Sequence, residues 1–208
     1  MTTDGDSGNL PKERPPSGRA ALLGLAALFL APALGAAWLY YAGGWQPSGQ
    51  TNHGELVLPA KPLAEAPLLQ LDGTPTPPAL FAGKWTLLYI DDGACATPQC
   101  RKALWTLRQT RLLLTADMDR VQRVFVAETG CCDRAFLESE HPDLKVLAPP
   151  ATRAADQAWI AGFPREAGVP YVFIIDPLGN LMMRFDLRQN PKGLKDDLKK
   201  LLKLYRTG

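Results

Sequence analysis

The stretch YIDDGACATPQCRKALW, Tyr89 to Trp105, places Cys95 and Cys100 around four intervening residues, after an apolar run and before a basic segment with helical spacing. Oxidised, such a pair forms a disulfide that stores two electrons. Reduced, it offers two soft thiolates, the ligand type that selects Cu(I). A purely structural disulfide would close a very short loop, which yields little stabilisation. Redox or metal chemistry is therefore the stronger reading. Cys100 opens the helix, where free N–H groups and the macrodipole favour a thiolate. Arg101 and Lys102 add positive charge there, while Asp91 and Asp92 oppose it.

A second pair, Cys131 and Cys132 in ETGCCD, follows the apolar segment Arg120 to Glu128. If that segment is a strand parallel to Trp85–Asp91, both strands end on one edge of the sheet, the edge where open α/β sheets build sites. One of these cysteines would then resolve a disulfide with Cys95 or Cys100, or supply a third soft metal ligand. The other reading is that one is buried as a small apolar residue and its neighbour is incidental. The chain has only two histidines, His53 and His141, which disfavours His-rich zinc sites and most His-dependent triads. His53 falls in a polar stretch. His141, in ESEHPDLK, is expected to be solvated. Met182 and Met183 alternate across a strand, so one of them should point inward.

The elements that must position these groups alternate strand and helix. APLLQLDG suggests a short strand and turn. WTLLYID, Trp85 to Asp91, is a continuous apolar strand of the kind buried on both faces. Arg101 to Leu114 has helical spacing, with Ala103, Leu107, Thr110 and Leu114 on one face. Arg120 to Glu128 is the next strand, a short helix fits Asp133 to Glu140, and LKVLA is a strand or extended edge. Ala151 to Ala161 suits a helix. YVFIID and LMMRFD are strands joined by PLGN, a hairpin signal. Asp196 to Tyr205 closes the chain as a helix whose leucine stripe packs on the sheet and whose lysines face water.

Ahead of this lies an appendage. Ala20 to Ala42 is an uncharged run of 23 residues, ~35 Å long as a helix and enough to cross a hydrocarbon core of ~30 Å. Trp38, Tyr40, Tyr41 and Trp45 crowd its far end like an interfacial belt, and Lys12, Arg14 and Arg19 precede it, which places the N-terminus in the cytoplasm. A cleaved signal peptide competes, since ALGAAW offers small residues, but the run exceeds the roughly 7–15 residues of a usual signal core. The expected organisation is a cytoplasmic tail over 1–19, an anchor over 20–42, a flexible linker over 43–61 and a periplasmic domain over 62–208. A short head and a single anchor suit the inner membrane of a bacterium, outside which paired thiols can be oxidised. A formal charge of +2 gives no basic footprint for nucleic acid.

The β-β-α-β-α-β/α-β-β-α order, with a late hairpin and a final helix, is the thioredoxin-like α/β layout. LDGTPTPPALFAGKWTLLYI leading into a cysteine pair, and FIIDPLGNLMMRF near the C-terminus, resemble the Sco/SenC group of thioredoxin-fold proteins, which assist copper delivery to cytochrome c oxidase. The same pieces are similar to the membrane-anchored thioredoxin-like reductases of cytochrome maturation. The resemblance spans roughly Pro62 to Arg206. It implies copper or thiol chemistry at Cys95 and Cys100 in the assembly of the oxidase, with an oxidase subunit or another periplasmic thiol protein as partner; the alternatives are a thiol–disulfide oxidoreductase of the periplasm and an assembly factor that keeps the fold and binds no metal. This chain departs from both patterns. The Sco pair encloses three residues and the thioredoxin pair two, where Cys95 and Cys100 enclose four. The Sco histidine before the DPLG hairpin is missing from REAGVPYVFIIDPLG. Val169-Pro170 stands there instead and resembles the cis-proline site of thioredoxin-like reductases. Pro170 then either presents the Val169 backbone to a partner's cysteine through a cis peptide or simply starts a strand.

Overall fold

The computed structural model describes residues 18–41, 51–63, 65, 68–92, 95, 97–128, 133–148 and 154–205. They fall into two compact units, one ending at Gln50 and one beginning at Thr51. The first contains helix α1, Gly18–Tyr41, with Pro32 inside it. Its segment Gly18–Leu39 has a mean hydropathy of 2.1 and buries none of its surface in the protein, so it is long and apolar enough to cross a membrane.

The second unit is built on one seven-stranded sheet, ordered β1-β7-β6-β3-β4-β5-β2. The central strands are β3 (Trp85–Asp91) and β4 (Val121–Ala127). They pair in parallel from Trp85↔Val121 to Asp91↔Ala127. β5 (Leu144–Ala148) extends the parallel set, and β2 (Leu69–Gln70) closes that side antiparallel. On the other side, β6 (Tyr171–Ile175) and β7 (Asn180–Asp186) form the expected hairpin, with β6 antiparallel to β3. Asp176 shapes its turn by accepting the N–H groups of Leu178 and Asn180 at 2.9 and 2.7 Å. Gly179 takes φ +85°, a conformation that side chains resist.

Helices cover both faces, which is why β3 reads as a nearly continuous apolar run and β4 is buried throughout, Gln122 and Arg123 included. One core holds Leu87, Tyr89 and Phe125 under α2 (Pro98–Leu112) and α5 (Pro191–Leu204), with Leu104, Leu107, Leu194 and Leu198 filling it. The opposite core joins Leu88, Val124 and Phe173 to Ile160 of α4 (Ala154–Ala161) and to Phe163. A short helix, α3 (Arg134–Glu140), is capped by Asp133, which accepts the Phe136 N–H at 3.0 Å.

Three expectations need correction. The linker foreseen over 43–61 contains a strand, β1 (Glu55–Pro62), paired antiparallel with β7. Prolines 59 and 62 hid it, yet proline is tolerated on an edge strand. Arg184 of β7 bonds Glu55 at 2.7 Å, and the buried Asp197 carboxylate accepts the N–H groups of His53 and Gly54 at 2.8 and 2.7 Å. The second correction is His141, which is only 4% exposed. Its Nδ1 lies 3.5 Å from the Arg123 guanidinium of β4, and its ring packs edge-on against Phe136. The third is α5, which begins at Pro191 rather than near Asp196, because Asn190 caps it by accepting the Lys192 N–H at 3.0 Å. Of the two methionines, Met183 is buried and Met182 only partly so.

Candidate functional site

β3 and α2 place the first cysteine pair. β3 ends at Asp91, and α2 starts after Thr97, whose hydroxyl caps it by accepting the Cys100 N–H at 3.2 Å. Cys100 thus sits in the first helical turn, where unpaired N–H groups create a positive end. Cys95 and Cys100 form a disulfide with Cα atoms 5.2 Å apart, as their placement on one strand-to-helix turn leads one to expect. Cys95 has φ +43°, in the left-handed region that favours glycine. Both cysteines are buried, at 2% and 0% exposed, and belong to the core under α2.

Beside the pair, the carboxyl edge of β3 and β4 is acidic. The Glu128 N–H donates to the Asp91 carbonyl at 2.8 Å, which ties the end of β4 to that of β3. Asp91 accepts the Tyr89 hydroxyl at 2.7 Å and the Asp92 N–H at 2.7 Å. Burial, and then the bond to Asp91, push the Tyr89 hydroxyl far above its usual range, so it remains a donor. Glu128 pairs with Arg165 at 2.5 Å. These groups and Glu166 line a cavity of about 460 Å³ that reaches Gln99 and Pro170. A second cavity of about 310 Å³ lies along α2, bounded by Lys102, Thr106 and Leu187, and shares Gln99, Gly168 and Pro170 with the first.

Pro170 therefore stands where the two cavities meet, beside the start of α2. The peptide bond before it is not cis, contrary to one of the two sequence readings. The cis peptide among the described residues is Leu58–Pro59. Pro170 serves the sheet, its carbonyl accepting the Leu187 N–H at 2.9 Å just before β6 begins.

The parallel pairing of β3 and β4, on which the second cysteine pair depended, is present. Cys131 and Cys132 themselves lie outside the described residues. Neither histidine joins the first pair: His53 bonds Asp197 on α5 at 3.2 Å, and His141 faces Arg123. Among the described residues no group of three His, Cys, Asp or Glu side chains is arranged to hold a metal ion. Sequence reading missed the Tyr89–Asp91 and Glu128–Arg165 contacts. The first had a local signal, since residues i and i+2 of a strand share a face. The second joins segments remote in sequence and had none.

Residues 85–205 match the family described as transmembrane-like, thioredoxin-like, C-terminal domain. No curated protein matches the sequence. Among solved structures, apo Sco1 from Thermus thermophilus aligns at 20% identity and TM-score 0.57, over 74% of this chain and 99% of its own. Copper-bound yeast Sco1 aligns at 18% and 0.56, over 70% and 96%. The thioredoxin domain of a thiol-disulfide oxidoreductase from Bacteroides vulgatus aligns at 15% and 0.49, over 66% and 95%. At these identities the two Sco1 structures bear on the fold alone. The chain carries a thioredoxin-like fold behind an N-terminal apolar helix, and it belongs to the transmembrane-like, thioredoxin-like C-terminal domain family.

Proposed function

We propose that this protein is a periplasmic dithiol–disulfide protein, anchored in the inner membrane of a bacterium by α1, that serves assembly of cytochrome c oxidase. The observation that carries the reading is the Cys95–Cys100 disulfide on the turn from β3 into α2, beside an acidic cavity. From the reduced state, one thiolate of the pair attacks a sulfur of a partner's disulfide. A mixed disulfide forms and one partner thiolate leaves. The second cysteine, as its thiolate, then attacks its own partner in the mixed bond, which closes Cys95–Cys100 and frees the other partner sulfur. Two electrons pass to the partner in all. Because both sulfurs are buried, attack on the closed disulfide waits for local opening.

Copper delivery is the second reading. Once reduced, the pair offers two soft thiolates, and Cys131 or Cys132 would supply the third ligand. The sequence resemblance to the Sco/SenC group favours it. Copper would then be cargo for an oxidase subunit.

Redox titration against glutathione, followed on the same sample by anaerobic Cu(I) titration, tests both. A single two-electron transition is expected. Cys95→Ser or Cys100→Ser is expected to abolish it and to leave one alkylatable thiol where the oxidised parent pair has none. A transition that survives either substitution would overturn the assignment of the pair. Stoichiometric Cu(I) binding that is lost in Cys131→Ser/Cys132→Ser would favour the copper reading.

A further inference from the structure

α2 and α5 pack side by side over one face of the sheet and turn their remaining sides outward. Together they carry nine basic residues and two acidic ones, in a chain whose formal charge is only +2. One of the two acids, Asp197, is buried against His53. Several of the cations are already paired: Arg101 with Asp133 at 3.9 Å, Arg108 with Glu140 at 3.6 Å, and Arg111 with Asp119 and Asp143. Lys195 pairs with Asp196, and Lys200 lies 3.8 Å from Asp197. Lys102, Lys192, Lys199 and Lys203 are exposed and make no ion pair among the described residues.

Large apolar side chains stand among these cations. Trp105 is 55% exposed, Leu112 46% and Leu113 55%, all on or just beyond α2, and Leu204 is 82% exposed at the end of α5. A soluble domain rarely leaves a tryptophan and three leucines in the open on one basic layer. Cations interleaved with tryptophan and leucine are the composition of a surface that lies in a lipid interface.

The chain's own path selects the occupant. Only residues 42–50 separate the end of the apolar helix α1 from Thr51. Nine residues span at most ~32 Å when fully extended. The segment that follows is bound to α5: the Thr51 carbonyl accepts from Lys200, and His53 and Gly54 donate to Asp197. The second unit therefore begins on the basic, leucine-bearing layer, at α5.

We propose that the outer face of the α2–α5 layer docks on an anionic lipid surface. Lys102, Lys192, Lys199 and Lys203 meet the headgroups, and Trp105, Leu112 and Leu113 enter the interface. Cys100 lies on α2, so this docking holds the disulfide close to the membrane. The inference does not depend on which chemistry the disulfide performs.

The test uses the full chain reconstituted in vesicles of phosphatidylcholine alone, or of equal parts phosphatidylcholine and phosphatidylglycerol. A membrane-impermeant acylating reagent is applied on the side of the domain, and lysine modification is read by mass spectrometry. Acylation of Lys102, Lys199 and Lys203 is expected to be about fivefold slower in the anionic vesicles. The protection should disappear at about 1 M salt, where the screening length is ~3 Å. Lys61, which bonds the Gly162 carbonyl after α4, should react alike in both vesicles. Equal rates for all lysines in both vesicles would overturn the proposal. Protection that is the same in both vesicles and grows with protein density would assign the face to a second copy, and would also overturn it. Trp105→Glu/Leu112→Glu changes only exposed side chains and is expected to remove the protection while keeping the Cys95–Cys100 disulfide; protection that persists in this variant sinks the idea.

Discussion

Asp197→Ala is expected to lower the stability of the Thr51–Gly208 unit by about 3 kcal/mol, equivalent to a fall in Tm of about 6–12 °C for a domain of this size. The carboxylate is 1% exposed and receives two backbone N–H groups at 2.8 and 2.7 Å, with the His53 ring nitrogen at 3.2 Å. Hydrogen bonds to a charged acceptor contribute roughly 1.5–3 kcal/mol each, more than neutral ones. Alanine removes both bonds and leaves the donors facing a cavity. The loss is capped because residues 51–54 can leave the surface and hydrate, which is why the expected value is near one strong bond pair and no larger. Both N–H groups reach the same oxygen, Oδ2, and Oδ1 faces His53 Nδ1. Asp197→Asn can therefore keep its oxygen toward both donors with its amide N–H₂ toward the imidazole, and only the charge is lost, so about 1 kcal/mol is expected. Gly193→Ala provides an independent probe of the same contact, because a Cβ there would sit 2.7 Å from His53 Cβ. It should release the segment without touching the carboxylate. Thermal melts read the stability, and hydrogen exchange at His53 and Gly54 reads the release. A shift below about 1 kcal/mol for Asp197→Ala, within the range of an ordinary surface change, would mean that β1 and Arg184 hold the segment without it.

That contact spans 144 positions, which explains why the segment looked like linker. What could be read locally was read. β3 and β6 are buried on both faces, so their sequences are apolar almost throughout, without alternation, and need no tertiary knowledge. β4 carries Gln122 and Arg123 in its first half and shows the pattern only from Val124 on. The hairpin is written in the Pro-Leu-Gly-Asn turn, and α2 in its apolar spacing. β1 is different. Its burial pattern is mostly exposed and it contains two prolines, so it becomes a strand only because β7 offers a free edge. The candidate site divides in the same way. The Cys95–Cys100 pairing follows from one turn between two legible elements. The position of Pro170 beside α2 follows from the sheet order. The trans geometry of its peptide bond was not legible, because X-Pro bonds differ by only about 0.5–1 kcal/mol between isomers and context decides. The burial of His141 was hidden for a related reason. Its neighbours in sequence are Glu140, Pro142 and Asp143, a polar run, while the groups that meet it are Phe136 of α3 and Arg123 of β4.

The stability of the folded domain is expected to fall by about 3 kcal/mol as the pH drops from 6.5 to 4, through His141. Burial first, and then the positive charges of Arg123 on β4 and Arg108 on α2, lower this histidine to about 4, against a smaller opposing effect from Glu140 on α3. Arg123 stays cationic across the whole range, since burial brings it down only to about 10, with Asp143 working the other way. An arginine can only donate, so the contact at 3.5 Å requires His141 to be neutral at Nδ1. In the unfolded chain the imidazole takes up its proton near pH 6.5, the ordinary value. Between 6.5 and about 4 the unfolded ensemble therefore binds a proton that the folded domain refuses. Stability must fall as pH falls across that window, with a slope approaching 1.4 kcal/mol per pH unit, and the loss is complete once both states are protonated. Above pH 6.5 neither state is protonated and the histidine contributes no slope. The measurement is urea unfolding of the Thr51–Gly208 unit at a series of pH values. His141→Asn keeps an acceptor near Arg123 but does not titrate, so its curve should lose this slope between 6.5 and 4 while paying a constant packing loss at every pH. A parent and a variant with parallel curves would show that the acid sensitivity of the domain lies elsewhere, and that His141 accepts a proton without leaving its place between Phe136 and Arg123.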